Sequence, residues 1–146
     1  MRIDEAFQKL GFEGRPLHHY LRPMIEAFVN SGAADKNFLV ELASGDEGKF
    51  WSHVWEAMLY CRFHGQGWKI SGDGVGPDLK IVAPRRTVLV EAAVPSPEGL
   101  PTEWLEFKPG VKTFPYEAML LRWTSKLADK RKKHLDDIAK GRVDAS

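Results

Sequence analysis

Residues 76–97 read GPDLKIVAPRRTVLVEAAVPSP, and the fold turns on how this stretch is paired. Leu79, Ile81, Val88, Val90 and Ala92 alternate with Asp78, Lys80, Val82, Thr87, Leu89, Glu91 and Ala93. A period of two with β-branched enrichment predicts two strands. Pro77 suits a strand start, where no ladder N–H is needed, and Pro84 with Arg85 and Arg86 supplies the turn. If Val82 pairs with Thr87, every residue faces the one whose number completes a constant sum. Asp78 then lies opposite Glu91, and Leu79, Ile81, Val88, Val90 and Ala92 share the other, apolar face. A loop one residue longer or shorter would put the two carboxylates on opposite faces.

Carboxylates directly opposite on neighbouring strands have Cβ atoms ~5 Å apart and repel. Three arrangements relieve this. One carboxylate is protonated, a cation sits between them, or the strand ends splay and water solvates both. A hard divalent ion such as Mg2+ takes carboxylate oxygens and waters.

At 146 residues and 43% hydrophobic, the chain suits one domain with an adequate core. The formal charge of +1 gives no global basic field, which argues against a protein that binds nucleic acid through bulk charge. The single Cys61 excludes an intrachain disulfide and a cysteine-cluster metal site, as expected in a reducing cytoplasm. The opening MRIDEAFQKL is polar and periodic, unlike a secretory signal. No apolar run approaches ~18 residues, so no membrane span is expected.

Upstream, residues 1–43 read as interrupted helices: one from Asp4 to Leu10, and one over Pro16 to Asn30 with a kink or break at Pro23. Adjacent His18 and His19 point about 100° apart on a helix, so solvated or capping roles suit them better than joint ligation. Residues 44–64 form a helix, capped by Ser44 or Asp46, with Phe50, Trp51, Val54, Trp55, Met58 and Cys61 as its apolar face. Glu56 lies nearly opposite that stripe and is expected to be solvated, although Leu59, Tyr60 and Phe63 flank it. Trp68 to Ser71 is a short strand and SGDGVG a turn, not a phosphate loop, because GxxxxGK[ST] is absent and no helix follows.

Downstream, residues 94–115 carry five prolines and read as a long loop. Residues 117–139 form a second helix ending at Gly141. Its wheel puts Leu120, Leu121, Trp123, Leu127, Ala128, Leu135, Ile138 and Ala139 on the core face, with Arg131 and His134 inside that stripe. Lys130 sits at the margin, and Lys126 and Lys133 lie further out. The run KRKKH at 130–134 is either a solvated face or a phosphate contact.

The order helix, strand, hairpin, helix, with FWSHVWEAML, GPDLKIV, VLVEAAVPSPEG and LLRWTSKLADKRKKHLDDIAKG in sequence, resembles the PD-(D/E)XK nuclease-like superfamily and, more closely, a bacterial branch of it. The resemblance spans about residues 50–141. It implies an α+β, α/β/α-like chain: a restriction-endonuclease-like core of helix, three strands and helix over 44–146, with 1–43 as a helical extension packed on it. It implies Asp78 and Glu91 as ligands of Mg2+ or Mn2+, and Glu56 as the helix carboxylate. The lysine expected two residues after the Glu is Ala93 here. Lys80, on the Asp78 face, and Lys130, on the second helix, are the replacements, with Lys130 favoured. Lys126, Arg131 and Lys133 are the expected contacts to a DNA or RNA backbone. The fourth core strand has no counterpart beyond RVDAS at 142–146, and an uncovered sheet edge would admit a homodimer. The function so implied is metal-dependent phosphodiester hydrolysis. The alternative is a non-catalytic binding or assembly protein on a nuclease-like scaffold.

Overall fold

The computed structural model describes residues 2–71, 78–95, 100 and 115–142. The turn at 72–76, Pro77, most of the proline-rich loop and residues 143–146 lie outside the described residues. The chain is mixed helix and strand, α+β in general form. Four helices come first: α1 (Arg2–Lys9), α2 (Pro16–Asn30), α3 (Phe38–Leu42) and α4 (Glu47–His64). Strands β1 (Lys69–Ser71), β2 (Leu79–Ala83) and β3 (Arg86–Val90) follow, then α5 (Tyr116–Ala139).

Three helix boundaries have a clear local cause. Gly11, at φ +69°, closes the turn after α1, a conformation that costs other residues a Cβ clash. Pro16 opens α2, where its missing N–H is no loss. Asp46 caps α4 by accepting the Lys49 N–H at 2.8 Å. The helix does not break at Pro23, and α2 runs through it as one element. Leu21 before the proline and Ile25 and Phe28 after it are buried in one core, which offsets the roughly 3 kcal/mol a mid-helix proline costs. The short apolar segment after Asn37 is helical, burying Phe38 and Leu42.

Segment 1–43 supplies much of the core. Ile3, Phe7, Leu21, Ile25, Phe28, Phe38 and Leu42 join Phe50, Val54, Ala57 and Tyr60 of α4 in one buried cluster, which also takes in Leu79 of β2. His18 is buried here rather than solvated. Its Nδ1 accepts the Gly14 N–H at 3.1 Å, and its ring lies 4.4 Å from Phe7.

The sheet is antiparallel in the order β1-β2-β3. Val82 pairs with Thr87, as the sequence predicts, and Ala83 with Arg86 closes a two-residue turn at Pro84 and Arg85. Leu79 and Ile81 are buried on one face, while Val82 on the other is 45% exposed. Among the described residues no strand follows α5, so the sheet has three strands.

Helix α5 departs from expectation. Its apolar stripe does not face the core: Leu120, Leu121, Trp123, Leu127 and Leu135 are all exposed. The side turned toward the sheet instead carries Lys130 and Lys133, which reach Asp78 and Glu91, while Asp137 is buried and pairs with Arg142 at 3.1 Å. Arg131, inside the same stripe, is exposed as well.

Candidate active site

The hairpin register builds the site. Leu79 opposite Val90 is the last ladder pair, so Asp78 and Glu91 come next on the two strands. Asp78 fixes its own position there, because its Oδ2 accepts the Ala92 N–H at 2.6 Å and extends the pairing past the ladder. Of the three ways to relieve two opposed carboxylates, the structure uses a cation, and that cation is a lysine. Lys130 Nζ lies 2.6 Å from Glu91 Oε2 and 3.1 Å from Asp78 Oδ2. Lys133, one turn further along α5, donates to Glu91 Oε1 at 3.0 Å. The i, i+3 spacing of these lysines sets both on the same face of the helix.

Asp78, Glu91 and Lys130 are each between 20% and 24% exposed, so this is a half-buried cluster whose charges water screens only in part. Burial by itself would lower the Lys130 pKa. The hydrogen bond it donates to Glu91 and the charges of Asp78 and Glu91 outweigh that and raise it, so the ammonium stays charged.

Glu56 is not solvated as expected. Its side chain is 14% exposed and meets His53 Nδ1 at 3.1 Å. Burial raises the Glu56 pKa, the His53 contact opposes this, and the negative charge of Asp78 adds to the rise. Glu56 is thus within electrostatic reach of the carboxylate pair. The other His53 nitrogen, Nε2, lies 3.5 Å from Glu41 of α3, and Phe38 packs edge-on against the ring at 4.9 Å.

Of the two replacement lysines, Lys130 is the one brought onto both carboxylates. Lys80 sits half-buried in the ladder between Ser71 and Leu89. Among the expected backbone contacts, Lys126 is half-buried, Arg131 is exposed, and Lys133 is engaged with Glu91. Sequence reasoning missed His53, although its place three residues before Glu56 marks an i, i+3 pair. It also missed Arg122, eight residues before Lys130 on the same flank of α5. The Arg122 Nε is buried with no hydrogen-bond partner among the described residues.

Among the described residues, no three His, Cys, Asp or Glu side chains come together as a metal-binding group. Asp78 and Glu91 form a pair close enough to share one ammonium, and oxygen donors of this kind suit a hard ion. Mg2+ commonly takes one or two carboxylates and keeps several waters. The donor set therefore fits such an ion in kind, with water completing the shell.

No helix among the described residues is long and apolar enough to cross a membrane. Set against known proteins, the chain matches no family model, no curated protein and no solved structure.

Proposed function

We propose that the Asp78–Glu91–Lys130 cluster is a nuclease-like centre for phosphodiester hydrolysis in DNA or RNA, dependent on Mg2+ or Mn2+. One observation carries the reading: a single ammonium, 2.6 Å from Glu91 and 3.1 Å from Asp78, reaches both carboxylates from a separate helix. Such a lysine takes over from the position that Ala93 leaves without one.

Asp78 and Glu91 would hold the ion. When bound, it would lower the pKa of a water molecule and offset charge on the phosphate. The rest falls to the chain's own groups. Lys130, kept charged by its two partners, would orient the attacking water and face the phosphate oxygens. Lys133 would hold Glu91 in place. Lys126 and Arg131 would meet the nucleic-acid backbone, with Arg122 on the same helix as a further donor. Glu56, fixed by His53, would set the negative potential behind Asp78.

A specific observation favours a second reading. Lys130 and Lys133 already neutralise Asp78 and Glu91 without any ion. In that case the cluster would be a structural clasp in a non-catalytic binding or assembly protein.

Metal titration separates the two. The hydrolytic reading expects Mg2+ or Mn2+ to raise the melting temperature of the wild type but not of Asp78→Ala, since a ligand that binds only the folded state stabilises it. It also expects metal-dependent nicking of DNA or RNA, abolished by Glu91→Ala and by Lys130→Met. A wild type that gains neither stability nor activity with either ion leaves the clasp as the function of the cluster.

A further inference from the structure

The outward face of α5 bears on partners rather than on chemistry. Tyr116, Leu120, Leu121, Trp123, Leu127 and Leu135 are between 43% and 69% exposed. At roughly 200 Å2 or more for each side chain, they leave on the order of 700 Å2 of mostly apolar surface on one helix. A monomer seldom leaves more than a few hundred Å2 in one apolar patch. A stable dimer buries about 800 Å2 on each partner, so a contact through this face draws on the polar flanks of the helix as well as on its apolar side chains.

The pattern also says what would cover it. Tyr116, Leu120, Trp123 and Leu127 are spaced four, three and four residues apart, the rhythm of a helix seam that packs against another helix. Glu117 and Arg131 are exposed at opposite ends of this seam and lie on the same flank of it. In an antiparallel pair of identical helices, like flanks meet. Centring the pair between Trp123 and Thr124 sets Leu120 against the partner's Leu127. It also sets Tyr116 and Glu117 beside the partner's Arg131. Each end supplies the charge that the other lacks, so the surface is complementary to itself, as a two-fold contact requires.

We infer that α5 is the contact between two copies of this chain, paired antiparallel through the Leu120–Leu127 seam. The inference shares one residue with the hydrolytic reading, Arg131, which here faces the partner's Glu117 instead of a nucleic-acid backbone; Lys130 and Lys133 stay engaged with Asp78 and Glu91. It also assigns the second copy to a helix face and not to a sheet edge, where β1 offers three residues and β3 five.

Sedimentation equilibrium of the full chain tests it. The expected mass is twice 16.5 kDa at micromolar concentration. Leu127→Glu is expected to raise the dissociation constant roughly 100-fold or more, with unchanged helix content, because the residue is exposed within its own chain. Arg131→Glu should weaken the dimer several-fold, and adding Glu117→Arg should restore most of the loss. The charge pair keeps the test sound if Leu127→Glu misfolds. A wild type that stays monomeric up to about 100 μM overturns the inference, since that affinity is weaker than such a contact supplies. A dimer that survives Leu127→Glu overturns the assignment to α5 and moves the contact elsewhere, the sheet edge first.

Discussion

The helical half, residues 2–64, and the half made by the sheet and α5 are held together by different forces. In the helical half, four phenylalanines from four elements, Phe7, Phe28, Phe38 and Phe50, are almost fully buried. They meet edge to face, Phe28 with Phe38 at 5.1 Å and Phe7 with Phe50 at 5.3 Å. In the sheet and α5, only Leu79 and Ile81 among the described residues are as deeply buried, while most of the large apolar side chains of α5 face outward. What ties α5 to the hairpin is the pair of lysines on Asp78 and Glu91. One half is stabilised by burial, which is strong and indifferent to salt. The other is clasped by charge, which is weaker, salt-sensitive and available for chemistry.

The comparison breaks most visibly in the helical core. Phe50→Ala should cost about 3–5 kcal/mol in urea unfolding, the usual range for a fully buried phenylalanine. Leu121→Ala, at 69% exposure, should cost little in dilute solution. Equal losses at the two positions would mean that α5 is packed against something within its own chain.

The clasp comes next in size. Lys130→Met removes the ammonium and leaves Asp78 and Glu91 opposed. The expected loss is about 1–3 kcal/mol, between the value of an exposed ion pair and that of a buried one. Amide exchange should locate it: α5 and the Ala92 N–H gain exchange while the helical half does not. A double-mutant cycle of Glu91→Gln with Lys130→Met should give a coupling of about 1 kcal/mol that shrinks in high salt. Uniform loss of protection across both halves would mean that the two are not separable in this way. Smaller again is the α4 cap, where Asp46→Ala should cost about 1 kcal/mol by leaving the Lys49 N–H without its acceptor.

The two halves were also legible to different degrees. The hairpin register could be read because a short turn at Pro84 and Arg85 leaves few pairings that keep the five apolar residues on one face. Helix α4 could be read from its cap and its period. The orientation of α5 could not, because a hydrophobic period says which residues share a face and not what that face meets. In α5 the stripe and the lysine row are adjacent, and the two strand carboxylates draw the lysine row inward. Lys130, at the margin of the stripe, is where the two readings diverge. Glu56 was misjudged for a related reason. Flanking composition does not show that His53, one turn earlier, offers a buried carboxylate a partner.

His53 gives the smallest expected effect, but the one that tests whether the halves communicate. Its ring joins Glu41 of α3 to Glu56 of α4, and Glu56 in turn feels Asp78. Lys49 reaches the same Glu41 at 3.8 Å and tempers its charge. Burial would lower the His53 pKa, yet the contacts with Glu56 and then Glu41 outweigh it, so the folded value lies above the ordinary 6.5. The folded protein therefore holds this proton more tightly than the unfolded chain does. The stability that results is fully present below pH 6.5 and is lost as pH rises through the folded value. Glu56 has the same sign lower down: its folded pKa lies above the ordinary 4.5, so stability falls as pH rises through that window. Glu56→Gln removes the nearer carboxylate. Its expected result is a His53 titration, followed by NMR, whose midpoint drops from the wild-type value, together with a flatter decline of stability above pH 6.5. His53→Gln should flatten the same decline without touching the Glu91–Lys130 coupling. A His53 midpoint that does not move in Glu56→Gln would mean that the histidine answers to Glu41 alone, and the helical half would then have no electrostatic route to the carboxylate pair through this ring.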